Sequence, residues 1–157
     1  MKLQPELQRL MQVIDSEAAL LRGFIALLER EEALLLEGDA DGLMALSKEK
    51  SERYHQLQRL HEDRGQLLAR FGRPNTAAAI QEICAPLPDT LKRWDEVLRL
   101  AGDAQQRNTV NGKLINERMQ NNQAALSVLL DAARQPQFYD AAGMTRTFGG
   151  GRHLGSA

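Results

Sequence analysis

Aromatic residues make up only 4% of this 157-residue chain and β-branched runs are absent, which removes the usual material of a sheet protein. A single cysteine, Cys84, excludes an internal disulfide and agrees with a reducing compartment. No apolar run approaches the roughly 18 residues that a membrane span needs. Met1 and Lys2 lead into Gln4, Pro5 and Glu6 without the apolar core of a signal peptide. The chain therefore reads as cytoplasmic, with no membrane insertion. Charge of one sign is also missing: the formal net charge is −1 and acids and bases are mixed throughout. That leaves no basic face for nucleic acid and no polybasic stretch for anionic lipid.

Catalytic patterns are equally scarce. His55 and His61 are six residues apart, which does not bring them to one helix face, and His153 lies near the C-terminus. No spacing resembles a metal site. The glycines between Gly149 and Gly155 superficially resemble a phosphate loop, but no strand precedes them and no Lys-Ser or Lys-Thr follows. No nucleophile and base can be nominated, and Cys84 reads as a small buried hydrophobe. The expectation is a protein that is not an enzyme and needs no cofactor or metal.

What remains is rich in Leu, Ala, Gln, Glu and Arg, with 43% hydrophobic residues, enough for one core. The fold class is all-α: an elongated antiparallel helical bundle, coiled-coil-like, with three long helices, one short helix and a flexible C-terminal tail. Leu3, Leu7, Leu10, Met11, Ile14, Ala18, Leu21, Ile25 and Leu28 recur at helical spacing around and beyond Pro5, a good first-turn residue. A second stripe, Leu20, Phe24, Leu27 and Leu34, widens that face. Gly38 then suits a left-handed cap and Asp39 an N-cap, so the first two helices form an antiparallel hairpin.

The second helix is expected from about Ala40 to Phe71, with Leu43, Leu46, Tyr54, Leu57, Leu60, Leu67, Leu68 and Phe71 at contact positions. Lys50 and Arg64 interrupt this stripe and are expected to bury their stems while their charged heads stay in water. The carboxylates are likewise expected on solvated faces. Gly72, Pro74 and Asn75 break the helix, a short one follows from Thr76 to Ala85, and Asp89 is expected to cap the third long helix.

That third helix dominates the chain. From Trp94 to Ala133 there is no proline, and Val97, Ala101, Ala104, Asn108, Asn111, Ile115, Met119, Asn122, Leu126, Leu129 and Ala133 share one face. At 1.5 Å per residue it would be roughly 60 Å long and must lean on another long helix. Asn108, Asn111 and Asn122 form a polar seam where leucines would serve a simple core. They fit either a wet, shallow helix pairing or a groove kept open for another protein's helix. Domain 1–134 is read as the helical bundle and 135–157 as a glycine-rich tail. Phe138, Tyr139, Phe148, Met144 and Leu154 make that tail adhesive, suited to binding a partner or to folding back on the bundle.

Asn108, Asn111, Gly112, Leu114 and Ile115, followed by Asn121, Asn122, Ala125 and Leu126, then Phe138-Tyr139-Asp140 and Gly143, resemble the flagellar export chaperones of the FlgN type. The Leu-rich first helix, the Glu37-Gly38-Asp39 break and the stretch from Leu43 to Lys50 fit as well. The resemblance implies a cytoplasmic chaperone for the C-terminal helical segments of hook-filament junction proteins of the FlgK and FlgL type. It also implies delivery of those subunits to the flagellar type III export gate. In such a protein Leu126, Leu129 and Leu130, completed by Phe138, Met144 and Phe148, are candidates for contact with the client. For the three leucines, burial against the first helix is an equal alternative. Tyr139 is the position matching a tyrosine associated with gate docking. The competing reading is a self-associating structural coiled coil, a homo-oligomer without a client.

Overall fold

The structure, a computed structural model, describes residues 4–120. Four helices account for nearly all of them: α1 Pro5–Glu37, α2 Ala40–Arg70, α3 Ala77–Cys84 and α4 Pro88–Met119. No strand occurs among the described residues, so the all-α expectation holds. The three long helices are each close to 50 Å in length.

Local chemistry sets the boundaries. Pro5 and Pro88 sit in the first turns of α1 and α4, where a missing N–H costs nothing. Gly38 closes α1 in the left-handed region at φ 77°, its N–H reaching the carbonyls of Leu34 and Leu35. One residue later Asp39 accepts the N–H of Gly42 at 2.9 Å and starts α2. Thr76 caps α3 by accepting from Ala79 at 3.2 Å. Asp89, expected as the cap of the third long helix, lies instead inside its first turn. The residue before Pro88 is Leu87, and no side chain caps that end. Asp89 there favours the helix dipole without bonding to it.

Cross-helix contacts fix the topology. Asp15 pairs with Arg93, Glu29 with Arg107, and Arg118 donates to the Leu36 carbonyl, so α1 and α4 climb side by side in the same direction. The α2 helix descends between their directions, forming an up-down-up bundle in which α1 packs along both partners. The short α3 crosses the bottom, placing Ile80 and Cys84 in the core and leading into α4.

The seam has a strict period. On α4 the buried residues are Thr90, Trp94, Val97, Ala101, Ala104, Asn108, Asn111 and Ile115, with steps alternating between four and three. On α1, Leu10, Ile14, Glu17, Leu21, Phe24, Leu28, Glu31 and Leu35 follow the same alternation. Such steps keep one narrow face toward a neighbour over the whole length, as in left-handed coiled-coil packing.

Candidate functional site

Four charged residues stand where this period calls for apolar ones. Along α1, Leu10, Glu17, Phe24 and Glu31 recur every seventh residue, and along α2 so do Leu43, Lys50, Leu57 and Arg64. Because the helices are antiparallel about the Gly38 turn, Glu17 meets Arg64 and Glu31 meets Lys50. All four are buried, which corrects the expectation that the cationic heads and the carboxylates are solvated. The physical reason is pairing: each charge has an opposite charge at the same level, with further polar groups to occupy its remaining sites.

In the lower layer Arg64 grips Glu17 with Nε 2.8 Å from Oε1 and Nη2 3.2 Å from Oε2. Its Nη1 donates to Asn75 at 2.7 Å, and Nη2 lies 3.0 Å from His61 Nδ1. A guanidinium only donates, so Nδ1 must accept and the His61 ring is neutral. Burial, and secondly the Arg64 charge, push the His61 pKa down to about 4. The cation also lies 4.9 Å from the centre of the Trp94 ring, so α4 closes the layer with an aromatic face.

In the upper layer Lys50 Nζ donates to Glu31 at 3.2 and 3.3 Å and to Asn108 Oδ1 at 2.6 Å. Burial lowers the Lys50 pKa, against which the Glu31 charge pulls upward. Asn111 Nδ2 donates both to Glu31 Oε1 and to the Leu28 carbonyl, each at 2.9 Å. Asn108 and Asn111 are therefore neither a wet, shallow pairing nor an open groove. Both are buried by this chain's own helices and complete its inner hydrogen bonding. Asn122, the third member of the polar seam, lies outside the described residues, as do Leu126, Leu129, Leu130, Phe138, Tyr139, Met144 and Phe148.

The level at which the described bundle stops is the important geometry for those residues. Arg118, one residue before the end of α4, donates to the carbonyl of Leu36, while its guanidinium lies beside Gly38. The end of α4 and the turn of the hairpin thus coincide. At this end Leu36 and Met44 are exposed, by 65% and 52%. On the α1–α2 side, a shallow groove of about 420 Å³ has Ala33, Leu34, Gly42, Ala45 and Leu46 for its floor and Arg30 and Glu49 on its rim.

Reactive chemistry is scarce here. Cys84 is fully buried and its thiol is pushed up to about 11 by that burial. Among the described residues no group of three or more His, Cys, Asp or Glu is placed to hold a metal ion. No described helix is long and apolar enough to cross a membrane.

Comparison with known proteins places the chain in a family. Residues 1–147 match the family described as FlgN protein, and the chain belongs to that family. It is 28% identical over 147 residues to the flagella synthesis protein FlgN of Escherichia coli strain K12, covering 88% of this chain and 91% of that protein. No solved structure matches. Family membership carries a role in building the flagellum, of the chaperone type.

Proposed function

We propose that the chain is a cytoplasmic export chaperone that holds the C-terminal helical segments of hook-filament junction proteins of the FlgK and FlgL type and delivers them to the flagellar export gate. The observation that carries this reading joins sequence to fold. The period of α4 runs through Ile115 and Met119 and recurs in the sequence at Asn122, Leu126, Leu129 and Ala133, whereas α1 and α2 turn back at Gly38, level with Arg118. The apolar period therefore continues in the sequence beyond the last residues of α4 that are level with the hairpin turn. Leu126, Leu129 and Leu130, with Phe138, Met144 and Phe148, are proposed as the client-binding residues. Burying one leucine contributes about 1.5–3 kcal/mol, so three supply a substantial part of a micromolar affinity. A client helix that would otherwise self-associate could be covered in this way without ATP.

Tyr139 is proposed to dock the loaded chaperone at the gate. Tyr139→Ala should then leave client binding intact and impair export; equal loss of both would remove the separation of roles. The main test is calorimetric titration with the C-terminal helical segment of a junction protein from the same organism. It compares the full chain with a version ending at Arg134. Saturable binding by the full chain, weakened by the truncation, supports the reading. No binding by either, with a defined self-oligomer by light scattering, would replace it with a structural coiled coil.

A further inference from the structure

The buried apolar residues of the bundle do not form one body. The larger group runs from Leu10 to Leu28 on α1, from Tyr54 to Leu68 on α2 and through Ala104 on α4. A second, small group consists of Leu35, Leu43 and Ile115, with Leu34, Leu114 and Met119 against it. Between the two lies the upper polar layer, in which Glu31, Lys50, Asn108 and Asn111 bond to one another across all three long helices. Leu27 and Leu46 are buried near this level yet belong to neither group. The groove over Ala33, Leu34 and Leu46 opens there on the outer side of the hairpin.

We propose that this layer divides the bundle into two units that open separately. At the hairpin end, residues 34–46 of α1 and α2 part from residues 112–119 of α4 and reclose while the larger core stays shut. The lower polar layer does not act in the same way, because Trp94, Leu21, Leu57 and Leu68 keep it inside a continuous apolar body. A buried ion pair adds little net stability and fixes its partners in place, so it couples the helices by register more than by adhesion. Above it the clustered apolar core is only Leu35, Leu43 and Ile115, with Leu46 buried outside that cluster, so few apolar side chains resist opening. Small apolar contact and exposed flanking surface are the features of a segment that opens by itself. Opening lays Leu35, Leu43 and Ile115 bare beside the already exposed Leu36 and Met44, at the end of the molecule from which the C-terminal segment departs. The inference rests on the free protein and stands or falls independently of any client.

Native-state hydrogen exchange of the full chain, followed by mass spectrometry at low urea, tests it. Amides in residues 34–46 and 112–119 should exchange at least about tenfold faster than those in 14–28, 57–68 and 94–104, through an opening that urea barely accelerates. Ile115→Val, which trims only the upper core, should speed exchange about three- to tenfold in both upper segments together and leave the lower ones unchanged. Equal acceleration at both ends would make the bundle one cooperative unit and overturn the proposal. Acceleration confined to residues 112–119 would reduce it to fraying of α4 and also overturn it. A variant carrying Glu31→Leu, Lys50→Met, Asn108→Leu and Asn111→Leu should join the two cores and bring upper protection to the level of the lower; unchanged upper rates in that folded variant would refute the layer's role. Should it not fold, the wild type and Ile115→Val decide the question.

Discussion

Glu17 and Arg64 form a two-point ion pair in the centre of the bundle, with both side chains wholly removed from water. The same offset brings Glu31 to Lys50 two heptads higher. A slip of one heptad that brought Glu17 opposite Leu57 would place all four charges against leucine or phenylalanine, and the opposite slip would separate every pair as well. The two pairs therefore select the register of the hairpin, a use for buried charge that net stability alone would not justify.

Breaking the lower pair from one side should be costly. Arg64→Met leaves the Glu17 carboxylate buried without its counter-ion and removes the cation from Trp94 and the donor from Asn75. A loss of about 3–5 kcal/mol is expected. The double change Glu17→Leu with Arg64→Met should recover most of that loss, since no buried charge is left. Urea unfolding followed by circular dichroism measures both; a single variant as stable as the wild type would mean that the layer is hydrated.

Acid should weaken the same layer through His61. Its folded pKa of about 4 lies below the roughly 6.5 of an unfolded histidine, so between those values the unfolded chain binds more protons. The contribution is therefore fully present above about pH 6.5 and is lost as pH falls toward 4, by on the order of 3 kcal/mol. His61→Gln keeps an acceptor for Arg64 and cannot protonate. The stability difference between wild type and variant, read from urea midpoints at pH 7, 5.5 and 4.5, should shift steadily in the variant's favour. A constant difference would show that His61 does not titrate differently in the two states.

Much of this fold is legible in the sequence because helix ends and apolar periods are local signals. Pro5, Gly38, Asp39, Thr76 and Pro88 mark boundaries that the structure keeps, and the face from Val97 to Ile115 is buried throughout. The charged layers are not legible on one stripe, because a lone lysine or arginine there ordinarily keeps its head in water and its opposite charge lies on another helix. The signal was present across helices: Glu17 and Glu31 are fourteen apart on one heptad position, and Lys50 and Arg64 are fourteen apart on another. Folding the sequence back on itself at the start of α2, between Ala40 and Asp41, pairs them. His61 and Asn75 carried no such signal, since their role depends on a loop and a turn of α2 meeting at Arg64. The six proposed client contacts all lie beyond residue 120, where the resemblance and the continued apolar period are the signals that single them out.

Cys84 should be silent until the chain unfolds. Its thiol is buried among core residues and held near pKa 11, so almost no thiolate exists at neutral pH and reagents cannot reach it. Alkylation by iodoacetamide at pH 8 should be slow in buffer and should rise along the same urea curve as the loss of helicity. Rapid native-state alkylation would point to an exposed or activated thiol and reopen the question of catalysis.

Asn111 offers the sharpest test of the upper layer because its amide serves two buried acceptors at once. Asn111→Leu takes one of two donors from Glu31 Oε1, which keeps Lys50, and the side-chain donor from the Leu28 carbonyl, at an expected cost of about 1–3 kcal/mol. Asn111→Asp has nearly the same shape but replaces the donor with a second carboxylate facing Glu31, with only Lys50 to balance the two. It should cost more than the leucine variant at pH 7. Like charge and burial then raise the carboxylate pKa in the folded state above its unfolded value, so the folded variant binds the extra proton more readily. Its deficit relative to wild type should accordingly shrink as pH falls from 7 toward 5. A deficit independent of pH would show that solvent reaches the layer and screens the pair.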